Sequence, residues 1–428
     1  AFNEPGLHQQ AEAAGFAQVL TKPITPSDLM DALAQLFHPS ARPSTPAPSP
    51  SDGAGLEQAG ETFALIVDGV GDLLGLIRDE LPVRPGSKRL GPEAGPGESE
   101  YTKYDRDIAA HTVKWLQQDA PKFGNKPWML YVGFVSPHFP LIAPQQFYDM
   151  YPESAVPWPL MYEKDERPRH PFTDAMRKCL CFDDEFDNAM VRRAISAYFG
   201  LTTFMDDNVG KILAALEASG QLQNTRVIYS SDHGDNLGTR GMWGKSTMYE
   251  ESAGIPLIMA GPDIPQGKVC DTPVTLVDAF QTIVDSVGAR RDARDASLPG
   301  TSLIDIAQGN APARTILSEY HAAGAVCGSY MIRHGRYKFI YYVGLPPMLF
   351  DLAADPNEKK DLGQDPAFAA VRSECEAALR KVVDPEKADR EAKADQAAKI
   401  ASIGGKEAIL KRGTFRYSPP PGVKPSYF

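Results

Sequence analysis

The stretch Thr225-Arg226-Val227-Ile228-Tyr229-Ser230-Ser231-Asp232-His233-Gly234-Asp235-Asn236-Leu237-Gly238 decides how the fold is read. Thr225 to Tyr229 has the length and apolar character of a buried strand, and a polar turn closes it. A carboxylate and an imidazole at such a strand tip stand where open α/β folds bind ligands. Arg240, Lys245 and the run Tyr249-Glu250-Glu251-Ser252 follow at once. The added ammonium suits the site to an anionic substrate.

The flanking segments alternate between strand and helix patterns. Trp128 to Val135 is a continuous apolar run of strand length, preceded by a helical pattern from Asp105 to Gln118. Val191 to Ser219 carries one broad apolar stripe at helical spacing and stops at Gly220, and a further strand is expected around Ile255 to Ala260. This order predicts an α/β fold, a mostly parallel sheet sandwiched by helices, over 63–317. From Ser318 the texture changes to short strands, Tyr330 to His334 and Tyr337 to Tyr342 around the turn Gly335-Arg336, then Leu349 to Leu352. With a charged helix from Pro366 to about Val382, this predicts a small antiparallel sheet with one packed helix over 318–384. The remaining 385–428, charged and then proline-rich, is expected to be an extended tail.

At the other end, 39–62 is rich in proline, serine and alanine and reads as a linker that cannot repay its ordering entropy by burial. Before it, Gly15 to Thr25 followed by Leu29, Ala32 and Leu36 resembles the last strand and helix of a two-component receiver domain, with Lys22 matching the lysine that contacts the phosphoryl group. The phosphoacceptor aspartate and most of that sheet would lie before Ala1, so 1–38 is expected to be a receiver remnant without phosphotransfer.

Composition narrows the function classes. A formal net charge of -11 argues against nucleic acid and against an anionic membrane surface, since both select basic patches. No apolar run approaches the ~18 residues of a spanning helix. The five cysteines show no pairing or zinc-type spacing, and no secretory cleavage pattern opens the chain. A cytoplasmic protein is the expectation.

Each candidate site residue has a functional and a bland reading. Asp232 and His233 could ligate a divalent cation, with Gly234 allowing a tight backbone path, or could simply form a capped turn. Lys245, in Trp243-Gly244-Lys245-Ser246, could meet anionic oxygens, or could be a solvated lysine or a partner of Glu250 or Glu251. His138, set in Ser136-Pro137-His138-Phe139-Pro140 at the end of the expected strand, is rigidly presented either for an anion contact or for structure. Two parallel strands would bring both tips to one edge.

Together these stretches resemble the sulfatases of the alkaline phosphatase superfamily, particularly the arylsulfatase and choline-sulfatase-like group. The matching segments are Gly95-Pro96-Gly97-Glu98-Ser99 with Tyr104-Asp105, Gly133 to Pro140, Ser231 to Gly238, Gly244-Lys245-Ser246-Thr247 with Tyr249 to Ser252, Ile255 to Ile258, and Leu349 to Leu352 before Asp355-Pro356. The resemblance implies metal ligands at Asp232 and His233, with calcium first and manganese or magnesium as alternatives. It also implies sulfate contacts from Lys245 and His138.

Three parts of the family pattern are missing, one of them the lysine and histidine of its Gly-Lys-Trp-His-type segment. No proline has cysteine or serine two residues before it and arginine two after, so the Cys/Ser-x-Pro-x-Arg source of the formylglycine nucleophile is absent. The early aspartate pair has only Asp68 as an imitation. The expected function is hydrolysis of small-molecule sulfate monoesters by a truncated active site. A catalytically inactive remnant or regulatory fusion, and a phosphodiesterase or phosphonate monoester hydrolase, are the alternatives. A homo-oligomer is compatible with this reading.

Overall fold

The computed structural model describes residues 73–413, apart from 79, 184–185 and 290–297. The expectations for 1–38, for the 39–62 linker and for Asp68 lie outside the described residues.

Helix α1, Glu100–Gln118, begins five residues before the expected Asp105 because Ser99 caps it. The Ser99 hydroxyl accepts the Thr102 amide at 3.1 Å, and the Thr102 hydroxyl accepts the Ser99 amide at 2.9 Å. Two amides that the first turn leaves open are thereby satisfied. Its buried residues Tyr101, Asp105, Ala109, Thr112 and Leu116 recur at helical spacing, and Leu116 packs with Ala215 and Leu216 of helix α2, Asn188–Ala218. Asp187 caps α2 through the Met190 amide at 2.7 Å, and Gly220 follows its end with φ +74°.

Strand pairing in this part differs from expectation. Short strands β1, Gly95–Pro96, and β2, Ile142–Ala143, pair in parallel. Strands β3, Val227–Ser230, and β4, Leu257–Ala260, pair antiparallel, with Ser230 opposite Leu257. Trp128 to Val135 joins no ladder among the described residues. Instead, Trp128 and Leu130 pack on Leu116 and Ala215 of the two helices, and the Trp128 indole donates to Gln221 at 3.0 Å. Apolar composition made this run strand-like, but a strand needs a partner as well as a composition. Tyr131 remains 66% exposed.

The C-terminal sheet has the expected form. Strands β5, Thr315–Tyr320, β6, Ser329–His334, β7, Tyr337–Tyr342, and β8, Met348–Asp351, form an antiparallel meander. Alternation divides its side chains. Tyr330, Ile332, Phe339 and Leu349 pack under helix α3, Ala369–Val382, whereas Met331, Ile340, Tyr342 and Phe350 enter the main core with Met242, Trp243 and Tyr249. One face of the sheet is thus part of the body that carries the site.

The expected extended tail is corrected over 385–412. Helix α4, Pro385–Ser402, and helix α5, Lys406–Arg412, occupy it. Alanine, lysine and glutamate dominate α4, all good helix formers, and Pro385 takes the first turn, where its missing amide costs nothing. Ile409 of α5 is buried against Leu74 and Ile77. Among the described residues, no helix is long and apolar enough to cross a membrane.

Candidate oxyanion site

The turn after β3 is held by its own polar groups. The Ser231 hydroxyl donates to the His233 carbonyl at 2.8 Å, and the His233 amide donates to Asp232 Oδ1 at 3.0 Å. The Gly234 amide donates to the Ser252 carbonyl at 2.8 Å. A Cβ on Gly234 would lie 2.1 Å from the Glu251 carbonyl oxygen, so the glycine is required by close backbone approach.

His233 Nδ1 lies 2.8 Å from the Gly234 carbonyl and His138 Nδ1 lies 2.8 Å from the Phe139 carbonyl. Facing an acceptor, each Nδ1 carries the hydrogen, which leaves both Nε2 atoms as acceptors. Lys245 Nζ meets them at 2.8 Å from His233 and 3.2 Å from His138. His138 is stacked on Phe139, with ring centroids 4.5 Å apart. Burial, followed by the Lys245 charge, pushes the His138 pKa down to about 4. The same causes lower that of His233. Desolvation of the ammonium lowers the Lys245 pKa, although the residue stays open to solvent. Asp232 stands beside the group, its Oδ2 3.5 Å from His233 Nε2, with 79% of its side chain exposed.

The four expected site residues therefore come together, but in unequal roles. Lys245 joins two neutral imidazoles from separate segments and still has an ammonium able to turn to an oxyanion. Asp232 and His233 provide two donors, whereas calcium takes about six to eight oxygens. Among the described residues, no group of three or more His, Cys, Asp or Glu comes together as a metal site. His233 Nε2 is moreover engaged by Lys245. The described donor set does not fit a complete cation site.

Other residues, not singled out from sequence, hold this arrangement. The buried Asp105 carboxylate accepts the Val135 and Ser136 amides at 2.8 Å each, fixing the segment that presents His138. Asp235 Oδ1 accepts the Leu237 amide at 2.8 Å and the Gly244 amide at 2.9 Å, closing the loop ahead of Lys245. Desolvation pushes its carboxyl up to about 6. Glu250 and Glu251 do not shape the loop through Lys245, because Glu251 pairs with Arg240 and Glu250 with Lys338. Asp105 and Asp235 were visible in the quoted motifs, but their partners were not.

An α/β body with a lysine held between two histidines beside the turn after β3 thus defines the class. The family model for sulfatases matches residues 73–289, and that for the C-terminal part of N-sulphoglucosamine sulphohydrolase matches 238–384. The chain belongs to the sulfatase family. It is 32% identical to choline-sulfatase of Rhizobium meliloti (strain 1021) over 285 residues, covering 65% of this chain and 55% of that protein. It is 30% identical to the multifunctional alkaline phosphatase superfamily protein PehA of Trinickia caryophylli over 287 residues, covering 60% of this chain and 55% of that protein. Among solved structures, phosphonate monoester hydrolase SpPMH from Silicibacter pomeroyi aligns with a TM-score of 0.55 at 27% identity, covering 64% of this chain and 59% of that one. The chain spans about half the length of the curated relatives it matches.

Proposed function

We propose that this chain binds the oxyanion of a small-molecule sulfate monoester and takes part in its hydrolysis. The observation that carries this reading is the Lys245 ammonium shared by His138 and His233. The ammonium of Lys245 turns its hydrogens from the imidazoles to the ester oxygens, as a compact point charge suits. His138 is held by its contact with the Phe139 carbonyl and by stacking on the Phe139 ring. The bond-breaking nucleophile is not among these residues. A divalent cation, calcium first with manganese or magnesium as substitutes, belongs to this reading only with donors beyond Asp232 and His233, and no step rests on it.

Phosphonate or phosphodiester hydrolysis is the second reading, favoured by the likeness to SpPMH. Five free cysteines, four of them buried, support the proposal of a cytoplasmic setting, and the acidic balance supports small-molecule rather than nucleic-acid or membrane partners. Hydrolysis of a chromogenic aryl sulfate, beside a phosphonate monoester and a phosphate diester in calcium or manganese, tests the reading. Sulfate turnover lost in Lys245→Gln supports it. A folded chain that neither turns over nor binds sulfate is the inactive remnant.

A further inference from the structure

Lys338 lies on β7 of the C-terminal sheet and is fully buried, a rare condition for a lysine. Its ammonium donates to the Met248 carbonyl at 2.9 Å and pairs with Glu250 at 2.5 Å and Glu358 at 2.8 Å. Glu358, itself 3% exposed, accepts the Glu250 amide at 2.7 Å through its other oxygen. From the same side, Arg240, 1% exposed, donates two hydrogen bonds to Glu251, at 3.0 and 2.9 Å, and reaches the carbonyls of Asn357 and Glu358. Its guanidinium lies 4.0 Å over the Tyr249 ring.

These contacts all converge on the segment just after Lys245. Before Lys245, Gly244 is tied to Asp235 and Asn236; after it, Met248 to Glu251 are tied to Lys338, Glu358 and Arg240. Between the two anchors Ser246 holds φ +88°, which a non-glycine residue keeps only when its surroundings impose it. Burying such charges is costly, and apolar residues of similar volume often give equal or greater stability. A network of this kind is therefore better explained by the geometry it imposes than by the stability it adds.

We propose that Lys338 and Glu358 are positioning residues of the oxyanion site: Lys338 from β7 and Glu358 from the loop after β8 hold the 246–250 segment so that the Lys245 ammonium stays between His138 and His233. This rests on the oxyanion reading for its meaning but on the contacts above for its geometry. A single family match, 238–384, spans both the loop and the sheet strands that grip it.

The test uses the full chain with labelled histidines. Imidazole nitrogen resonances of His138 and His233 are recorded at one pH for the wild type, Lys338→Met, Glu358→Gln and Phe339→Leu, with Lys245→Gln marking the shift caused by loss of the ammonium. Phe339→Leu perturbs the same sheet without touching the clamp, and Glu358→Gln keeps its volume should Lys338→Met fail to fold. Lys338→Met or Glu358→Gln is expected to move both Nε2 resonances toward those of Lys245→Gln, and Phe339→Leu to leave them in place. Inorganic sulfate affinity is expected to fall about tenfold in the clamp variants, as for a segment released into local opening. Clamp variants with wild-type imidazole resonances, or resonances that move equally in Phe339→Leu, overturn the proposal. A wild type that binds no sulfate would sink the oxyanion reading alone, because the imidazole shifts still decide this one.

Discussion

The carboxylate of Asp105 and the amide of Ser136 meet at 2.8 Å, and through that bond α1 sets the place of His138 two residues further on. The other Asp105 oxygen takes the Val135 amide at the same distance. Asp105→Asn removes one acceptor and turns a donor toward a backbone donor. The expected cost is about 1–3 kcal/mol, that of leaving a buried amide unpaired. Denaturant melts of the variant, paired with its sulfate affinity, check this. A variant as stable as the wild type that binds sulfate equally would show that His138 is placed by its flanking prolines instead.

Gly234→Ala is expected to fail for a steric reason. The new methyl would lie 2.1 Å from the Glu251 carbonyl, a backbone atom that cannot swing away as a side chain could. Overpacking of this kind costs about 1–3 kcal/mol. Because the Gly234 amide is also bonded to Ser252, the displacement is transmitted to His233. A lower melting temperature together with shifted His233 resonances is the expected outcome, and an unshifted His233 would localise the strain elsewhere.

Local chemistry was the legible part of this chain. Periodicity and turn residues marked α1, α2 and the β6–β7 hairpin, because each depends on neighbours within a few positions, whereas the caps Ser99 and Asp187, which start both helices earlier than expected, were missed. The meeting of His138 with His233 was expected from two parallel strand ends sharing an edge; the residues do meet, but Trp128 to Val135 is no strand, and it is the Asp105 carboxylate that holds the segment before His138. Which strands pair was not legible. The run at Trp128 is as apolar as a central strand, yet it lies on Leu116 and Ala215. The anchors were hidden for the same reason: Asp105 and its amide partners are some 30 residues apart, and Lys338 and Met248 are 90 apart. The helical tail was misread because its charge and the late run Pro419-Pro420-Pro421 suggested an arm, whereas Pro385 opens α4 and Asp384 accepts the Lys387 amide as its cap.

Acid is expected to loosen the junction between α3 and α4. Glu386 accepts from Arg380 at 2.8 Å and from the Tyr341 hydroxyl at 2.6 Å, and these bonds, Arg380 first, hold its carboxyl down to about 2 from an ordinary 4.5. A carboxyl depressed on folding adds stability that is complete above the unfolded value and lost as pH falls through the folded one. The window is therefore from about 4.5 down to about 2. Glu386→Gln should flatten melting temperature against pH across that window, and an unchanged slope would mean solvent screens the pair completely.

Lys245 gives the sharpest functional expectation. Its ammonium donates to two neutral imidazoles, and neither of those acceptors can attract an anion. Replacing it with glutamine leaves a neutral donor and removes the single positive charge of the trio. A hydrogen bond to a charged group is worth about 1.5–3 kcal/mol, so sulfate affinity should fall by roughly 10- to 100-fold. Lys245→Arg keeps the charge but spreads it over a planar fork that does not fit between two facing Nε2 atoms, so it should restore only part of the loss. Calorimetric titration of inorganic sulfate into the three proteins, at a pH above the depressed value of His138, separates charge from shape. Full rescue by arginine would mean that only net charge matters, and equal binding by all three would remove Lys245 from the site.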